Sequence, residues 1–259
     1  MPALAVVLGL FGLLIGSFLN VVIWRVPRKE SIVRPPSHCP SCDTEISPRD
    51  NVPVLSWLLL RGRCRHCGAS ISARYPLVEL ATGGLFAALT VRFGLHADLP
   101  AYLYLAAVGV ALAMIDLDLQ RLPDPLTLPS YPVGLTLLAI AALADHDGTD
   151  YLRAVIAMAA LFGFYAVVWF VYPGGMGQGD VKLAGVVGLY LGWLGWGQLI
   201  VGTFGAFLLG AVVGIGLMVG SAAGRKTRIP FGPFMLLGVL IGIYAGHPLA
   251  HAYTTRITH

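Results

Sequence analysis

The chain has 259 residues, of which 57% are hydrophobic and only 12% are charged, and its mean hydropathy is +0.77. A soluble globular domain carries about 25% charged residues, so this composition excludes an ordinary soluble domain and indicates a polytopic membrane protein. Residues 25–75 contain nine Lys or Arg and four Asp or Glu residues, a net charge of +5 within a total of +4. The positive-inside rule places this loop in the cytoplasm and accounts for its charge, so we expect no nucleic-acid partner.

The first element is an apolar run from Ala3 to Trp24. A membrane-spanning helix needs about 20 apolar residues, so residues 1–24 are predicted to form the first transmembrane helix. No small-residue cleavage pattern follows, and we therefore expect the segment to stay in the protein rather than be removed as a signal peptide. Gly12 and Gly16 lie one turn apart and predict a face that packs closely against another helix.

The basic loop, residues 25–75, holds all four cysteines as two C-x2-C pairs: Cys39 with Cys42, and Cys64 with Cys67. The pairs are separated by 21 residues, slightly more than the usual gap of about 15–20, and two such pairs are a strong signature of a zinc site. Four thiolates close a tetrahedral structural site and leave no open position for catalysis. The alternatives are two disulfides or free thiols, and a reducing cytoplasmic location disfavours the disulfides.

The rest of the chain predicts seven further apolar helices, which makes about eight spans in an all-α fold. They are expected at about 76–93, 99–117, 125–143 and 151–172, then from 180, from about 197 to 220, and from 229 onward. Alternation places the acidic turn 145–150 outside the cell. It places the turn after Asp116, the glycine-rich turn before Asp180 and the basic residues Arg225, Lys226 and Arg228 in the cytoplasm.

Two aspartates are thus predicted at the same face and at similar depth. Asp116 ends the third span, and Asp180 closes the glycine-rich stretch that begins at Gly175. Ionisable residues at membrane depth are costly and indicate function. Two neighbouring carboxylates that share a proton can supply the base and the acid of aspartyl proteolysis. From the residues alone, a proton relay in a transporter or a cation site fits equally well.

Four other residues are expected to shape the approach of a substrate. Gly177 and Gly179 carry no side chain, so a second backbone can come close to Asp180. Asp124 and Glu79 are further acids at membrane boundaries. Each of these two acids also has a simpler interpretation, Asp124 as a helix cap and Glu79 as an interfacial carboxylate paired with an arginine such as Arg74.

An ordered set of motifs covers nearly the whole chain and closely resembles the prepilin peptidases, the type IV prepilin leader peptidases of pilus, competence and type II secretion systems. The set comprises Gly16-Ser17-Phe18-Leu19-Asn20 with its continuation to Arg25, both cysteine pairs, Arg74-Tyr75-Pro76-Leu77-Val78-Glu79-Leu80, Ile115-Asp116 with Leu122-Pro123-Asp124, Gly177-Gln178-Gly179-Asp180, and Pro230-Phe231-Gly232-Pro233-Phe234. One departure is Leu119, because many relatives have His in that segment.

The resemblance implies a membrane aspartyl endopeptidase of the G-x-G-D type, with Asp116 and Asp180 as its catalytic pair. The implied substrates are prepilins or pseudopilins inserted in the membrane lipid, whose basic leaders are cut on the cytoplasmic side of the inner membrane. It further implies N-methylation of the new N-terminus from S-adenosylmethionine, associated with loop 25–75, and a peptidase domain at 76–259. The rival interpretation is a proton-coupled transporter with a zinc-stabilised cytoplasmic loop.

Overall fold

The computed structural model describes residues 1–146, 148–172, 174–219 and 229–257, and it is helical throughout those ranges apart from turns and loops. Ten α-helices are formed there: α1 (Pro2–Arg25), α2 (Leu55–Leu59), α3 (Arg74–Phe93), α4 (Leu99–Leu119), α5 (Asp124–Thr127), α6 (Ser130–Asp145), α7 (Thr149–Val171), α8 (Gln178–Leu194), α9 (Trp196–Val219) and α10 (Gly232–Ile257). The basic residues Arg225, Lys226 and Arg228, and Asp147 of the acidic turn, lie outside the described ranges.

Seven segments of the described chain are long and apolar enough to cross a membrane, which confirms an all-α, multi-pass membrane protein. The fourth segment joins α5 and α6, so the turn at Pro129 does not end the span. The predicted span missing from these seven is the sixth in chain order, which begins at 180 and corresponds to α8, a helix of 17 residues. A helix of this length is at the lower limit for spanning, about 17–25 residues, and this explains the difference between seven and about eight.

The chain divides into two compact units, Met1–Ala111 and Leu112–His259. This division differs from the predicted segments 1–24, 25–75 and 76–259. Those segments were assigned by their expected function, and they stay predictions. The cysteine loop and α1 to α3 belong to the first unit. Asp116 and Asp180 both belong to the second unit.

In the first unit, glycines bring α1 and α3 together. A Cβ atom placed on Gly16 would lie 2.6 Å from the Cα atom of Glu79, and one on Gly12 would lie 2.9 Å from the Cα atom of Gly83. Such distances leave no room for a side chain, so the predicted packing face at Gly12 and Gly16 is confirmed. Asn20 extends the contact by donating a hydrogen bond from Nδ2 to the Tyr75 carbonyl at 3.2 Å.

The loop between α1 and α3 is fastened to both helices. Arg25, buried at the end of α1, donates hydrogen bonds to the carbonyls of Ser31 at 2.9 Å and Pro35 at 2.7 Å. Glu79 of α3 is 7% exposed and accepts the backbone N–H of Val54 at 2.7 Å. Because buried polar groups need partners, these bonds fix the loop against the ends of the helices.

In the second unit, α8 forms the centre. Nearly every residue from Val181 to Trp193 is buried, as expected for a helix that is apolar on all sides. Glycines again allow the close approach, because a Cβ on Gly188 would lie 2.6 Å from the Ala157 carbonyl oxygen of α7. The helices α5, α6, α7, α9 and α10 all contact α8, so the position of Asp180 in its first turn is set by the whole unit.

Gly16→Ala should destabilise the first unit, because the new methyl group meets the backbone of Glu79 at 2.6 Å. Overpacking of this kind costs about 1–3 kcal/mol. Thermal unfolding of the purified protein in detergent measures the effect. Gly84→Ala is the matched control, since a Cβ there meets nothing within 4 Å, and equal unfolding temperatures for the two variants would contradict the close packing.

Candidate active site and metal site

The aspartates predicted from the sequence meet at one cavity of the second unit. The cavity has a volume of about 280 Å³ and lies where the end of α4 faces the start of α8. Its lining consists of Asp116, Gln120, Arg121, Leu122, Asp124, Gly177, Gln178, Gly179, Asp180 and Lys182. Half of these ten residues carry ionisable side chains, so the cavity is strongly polar inside an apolar protein.

Asp116 reaches the cavity from the last turn of α4. It is 4% exposed, and its Oδ2 accepts the backbone N–H of Gly232 at 2.9 Å. Gly232 is the first residue of α10, and the first N–H groups of a helix have no partner within the helix. The carboxylate of one helix therefore satisfies the free donor of another.

Asp180 reaches the cavity from the first turn of α8. Its Oδ2 accepts the backbone N–H of Gly177 at 3.1 Å, and its own N–H donates to the Gly177 carbonyl at 3.1 Å. This reciprocal pair closes the first turn of the helix in the manner of a capping box. Asp180 and Asp116 line the same cavity.

The glycines of the G-x-G-D stretch make room for neighbours within the protein. A Cβ on Gly179 would lie 2.9 Å from the Cβ of Leu122, and one on Gly177 would lie 3.1 Å from Oδ2 of Asp180. Both glycines line the cavity, which agrees with an open approach to Asp180. Their contact with a substrate stays a prediction.

Asp124 lines the cavity as an ion pair rather than as a free acid. Lys182 of α8 donates from Nζ to its Oδ1 at 2.6 Å. Tyr131 supports this arrangement, because its hydroxyl donates to the Lys182 carbonyl at 2.6 Å. The pair ties α5 to α8 beside the two aspartates, and the predicted role of Asp124 in binding substrate remains a prediction.

Glu79 belongs to the first unit, where its carboxylate accepts the Val54 N–H and a hydrogen bond from the Ser17 side chain. These bonds give it a structural place between α1, α3 and the loop. Its predicted substrate role is untested by this geometry.

Sequence reasoning assigned no role to Gly232, although its N–H touches Asp116. It also left Gln120, Arg121, Gln178 and Lys182 without a role, and they line the cavity. The sequence feature that could have drawn attention to Gly232 is its place between two prolines at the start of the last helix, Pro230-Phe231-Gly232-Pro233. The other four stand beside the aspartates in sequence.

The four cysteines of the loop form one cluster in the first unit. Their sulfur atoms all lie within 4.8 Å of one another, and the Sγ atoms of Cys39 and Cys67 are 3.8 Å apart. Tetrahedral zinc–sulfur bonds of about 2.3 Å separate the sulfurs by about 3.8 Å. The cluster therefore fits a metal ion such as zinc.

Each C-x2-C pair sits in a turn of the same design. The N–H of Cys39 donates to the Thr44 carbonyl at 3.0 Å, and the N–H of Cys64 donates to the Ala69 carbonyl at 2.8 Å. The residue after each pair, Asp43 or Gly68, has a positive φ of 53° or 71°. Two equivalent turns thus present two thiols each to one point.

Thiolates are the metal-binding form of cysteine, and the turns favour that form at Cys42 and Cys64. A hydrogen bond with the Thr44 side chain lowers the pKa of the Cys42 thiol to about 6. A hydrogen bond from the Cys67 backbone lowers the pKa of the Cys64 thiol. At Cys67 a backbone hydrogen bond with Ala69 acts in the same direction, but burial and the neighbouring thiols outweigh it and raise the pKa to about 11.

Two family models match the chain. Residues 10–93 match the bacterial peptidase A24 N-terminal domain, and residues 103–215 match the type IV leader peptidase family. The first match covers α1, the cysteine loop and α3, and the second covers both aspartates. No solved structure matches the chain.

Several curated proteins are similar to this chain over most of its length. The proteins of Myxococcus xanthus, Aeromonas hydrophila and Pseudomonas aeruginosa are each called prepilin leader peptidase/N-methyltransferase. The protein of Myxococcus xanthus is 44% identical over 236 residues, which cover 88% of this chain and 67% of the relative. That of Aeromonas hydrophila is 39% identical over 280 residues, covering 95% and 92%. That of Pseudomonas aeruginosa is 34% identical over 275 residues, covering 94% and 91%.

The purified protein should bind one thiophilic divalent ion per chain through its four cysteines. Replacing the native ion by Co²⁺ should produce sulfur-to-cobalt charge-transfer absorption, and Cys64→Ser should weaken it and lower the metal content. Ser70→Ala is the control, since Ser70 is exposed, lies three residues after Cys67 and supplies no ligand atom. Equal metal content in the Cys64→Ser and parent proteins would contradict a four-cysteine site.

Proposed function

The chain belongs to the type IV leader peptidase family and is a membrane enzyme of the prepilin leader peptidase/N-methyltransferase type, and we propose that Asp116 and Asp180 are its peptidase dyad. One observation carries this assignment. The two carboxylates come from helices that are distant in sequence, and they line a single cavity. Family membership favours this peptidase over the proton-coupled transporter, which would use the same acids as a relay.

The dyad acts by general acid and base catalysis. Two adjacent carboxylates do not both ionise readily, so the pair holds one proton between them. The ionised carboxylate takes a proton from a water molecule while the oxygen of that water attacks the scissile carbonyl carbon. The protonated carboxyl of the other aspartate then gives its proton to the leaving amine as the C–N bond breaks. The two carboxyl groups again hold one proton between them.

The two helix N-termini keep the dyad in place. The Gly232 N–H holds Oδ2 of Asp116, and the Gly177 N–H holds Oδ2 of Asp180. Each bond fixes one oxygen of a carboxylate. Since catalytic groups displaced by about 1 Å can lose about a hundredfold in rate, Gly177 and Gly232 are positioning residues.

The substrate is a prepilin or pseudopilin held in the membrane lipid with a basic leader on the cytoplasmic side. The charge of the loop 25–75 favours a cytoplasmic location for the ends of α1 and α3. Alternation of the spans from that loop supports a dyad at the cytoplasmic face of the inner membrane. Gly177 and Gly179 admit the extended segment around the scissile bond, and Asp124 and Glu79 contribute negative charge for the leader.

Cys39, Cys42, Cys64 and Cys67 would hold a zinc ion between the two turns of the loop. The ion would be structural, because four cysteine ligands would leave no open position for catalysis. The relatives are named N-methyltransferases, and we propose S-adenosylmethionine as the methyl donor. We assign no individual residues to its binding.

Incubation of the purified protein with a prepilin-like substrate tests the proposal. Without S-adenosylmethionine, the intact mass of the product should equal that of the mature chain, and with it the mass should increase by one methyl group. An uncleaved substrate would contradict the peptidase. A cleaved product of unchanged mass would contradict the methyl transfer alone.

Asp116→Asn and Asp180→Asn should each lower the cleavage rate at least about a thousandfold, because either change removes one half of the acid–base pair. Single-turnover cleavage of the same substrate is the measurement. Asp118→Asn, an exposed acid two residues from Asp116, is the control and should keep the parent rate. Substantial cleavage by either dyad variant would refute the assignment.

Gly232→Ala should lower kcat about 10- to 100-fold and leave KM nearly unchanged. The new Cβ would lie 2.8 Å from Oδ2 of Asp116 and 3.3 Å from Cδ2 of Leu122, so the carboxylate must move away from its donor. Steady-state kinetics at matched unfolding temperatures separate this effect from misfolding. Gly216→Ala, where a Cβ meets nothing within 4 Å, is the control, and a parent-like kcat for Gly232→Ala would contradict the positioning role.

A further inference from the structure

A short helix in the cysteine loop leaves an apolar face uncovered. α2 has five residues, and Leu55, Leu58 and Leu59 occupy positions i, i+3 and i+4, which share one side of a helix. Their exposed fractions are 52%, 58% and 73%. Complete burial of one leucine side chain is worth about 1.5–3 kcal/mol, so three adjacent exposed leucines indicate a surface that another apolar phase covers.

The opposite side of α2 is firmly held, so the leucine face has one fixed direction. The Ser56 hydroxyl donates to the Arg49 carbonyl at 3.0 Å and accepts the Val52 N–H at 3.0 Å. The Trp57 indole N–H donates to the Ile71 carbonyl at 3.0 Å. The leucines are therefore exposed because these hydrogen bonds fix the orientation of α2, and not because the helix is loosely attached.

A hydrogen bond sets the level of α2 along the membrane-spanning helix α3. Val54, the residue before α2, donates its N–H to Glu79 at 2.7 Å. Glu79 is the sixth residue of α3, about 7.5 Å along the axis from Arg74 at a rise of about 1.5 Å per residue. The 20 residues of α3 match a hydrocarbon layer of about 30 Å, so α2 begins about 7.5 Å inside the end of that span, within the depth of about 5–10 Å at which interfacial helices lie.

The charge around α2 suits the polar side of that boundary. Arg61 and Arg63 follow the helix directly, and both are exposed. They belong to the loop whose net charge is +5. Leucines on one side with arginines at the edge are typical of helices that lie in the interface of a membrane containing anionic lipids.

We propose that α2 is an interfacial anchor, in which Leu55, Leu58 and Leu59 insert into the boundary between lipid headgroups and acyl chains. Arg61 and Arg63 face the phosphates of anionic lipids. The anchor holds the cysteine cluster at the membrane surface. It is independent of the dyad, and it can fail while the peptidase assignment stands.

Photo-crosslinking in lipid nanodiscs tests the contact. A benzophenone amino acid at position 58 of the full chain should give lipid adducts, detected by intact mass, in discs that contain phosphatidylglycerol. The same group at position 49 is the control, because the Arg49 carbonyl lies on the Ser56 side of α2, and its adduct yield should be at least about fivefold lower. Equal yields, crosslinks between two chains or an absence of lipid adducts would overturn the proposal.

A second measurement uses the trypsin sites at Arg61 and Arg63. In nanodiscs that contain phosphatidylglycerol, the variant Leu55→Ser/Leu58→Ser/Leu59→Ser should be cut there at least about tenfold faster than the parent, because its helix no longer enters the lipid. An unchanged unfolding temperature shows that the variant is folded. Equal cleavage rates in folded variant and parent would overturn the anchor, and equal protection of the parent in phosphatidylcholine discs would overturn the role of the arginines.

Discussion

A carboxylate inside a membrane protein needs a hydrogen-bond donor, and this requirement organises the second unit. An unpaired charge at low dielectric is costly, and a basic side chain bonded to each acid would neutralise the charge on which the chemistry depends. Here the donors come from the backbone, through the Gly232 N–H to Asp116 and the Gly177 N–H to Asp180. The starts of α8 and α10 must therefore meet the end of α4.

The four acids predicted as site residues differ in what their carboxylates contact, and the difference supports the proposed choice of Asp116 and Asp180 as the dyad. Asp124 is neutralised by Lys182, and Glu79 is bonded to the loop that it fastens. Asp116 and Asp180 are held by neutral N–H groups and line the cavity, whereas Glu79, which also accepts a neutral N–H, is not among the residues that line it. An acid held in this way keeps its ability to exchange a proton, as acid–base catalysis requires.

The sequence was sufficient for the helices, the cysteine cluster and the meeting of Asp116 with Asp180. Hydropathy sets the spans, C-x2-C spacing sets the thiols, and alternation across the membrane places the aspartates on one face. The sequence did not predict the hydrogen bond from Gly232 to Asp116, because every residue except proline has a backbone N–H and the two residues are 116 positions apart. The bond from Val54 to Glu79 was missed for the same reason, and the pairing of Asp124 with Lys182 depends on how α5 packs on α8.

The cysteine loop is too short to bury a large core of its own, and chains of this size commonly need a metal or another support. It has three: a thiol cluster that joins its two turns, the buried Arg25 that binds its first residues, and Glu79 that binds Val54. The last two supports come from spanning helices. The loop is thus built as an extension of α1 and α3, and its position relative to the membrane follows from theirs.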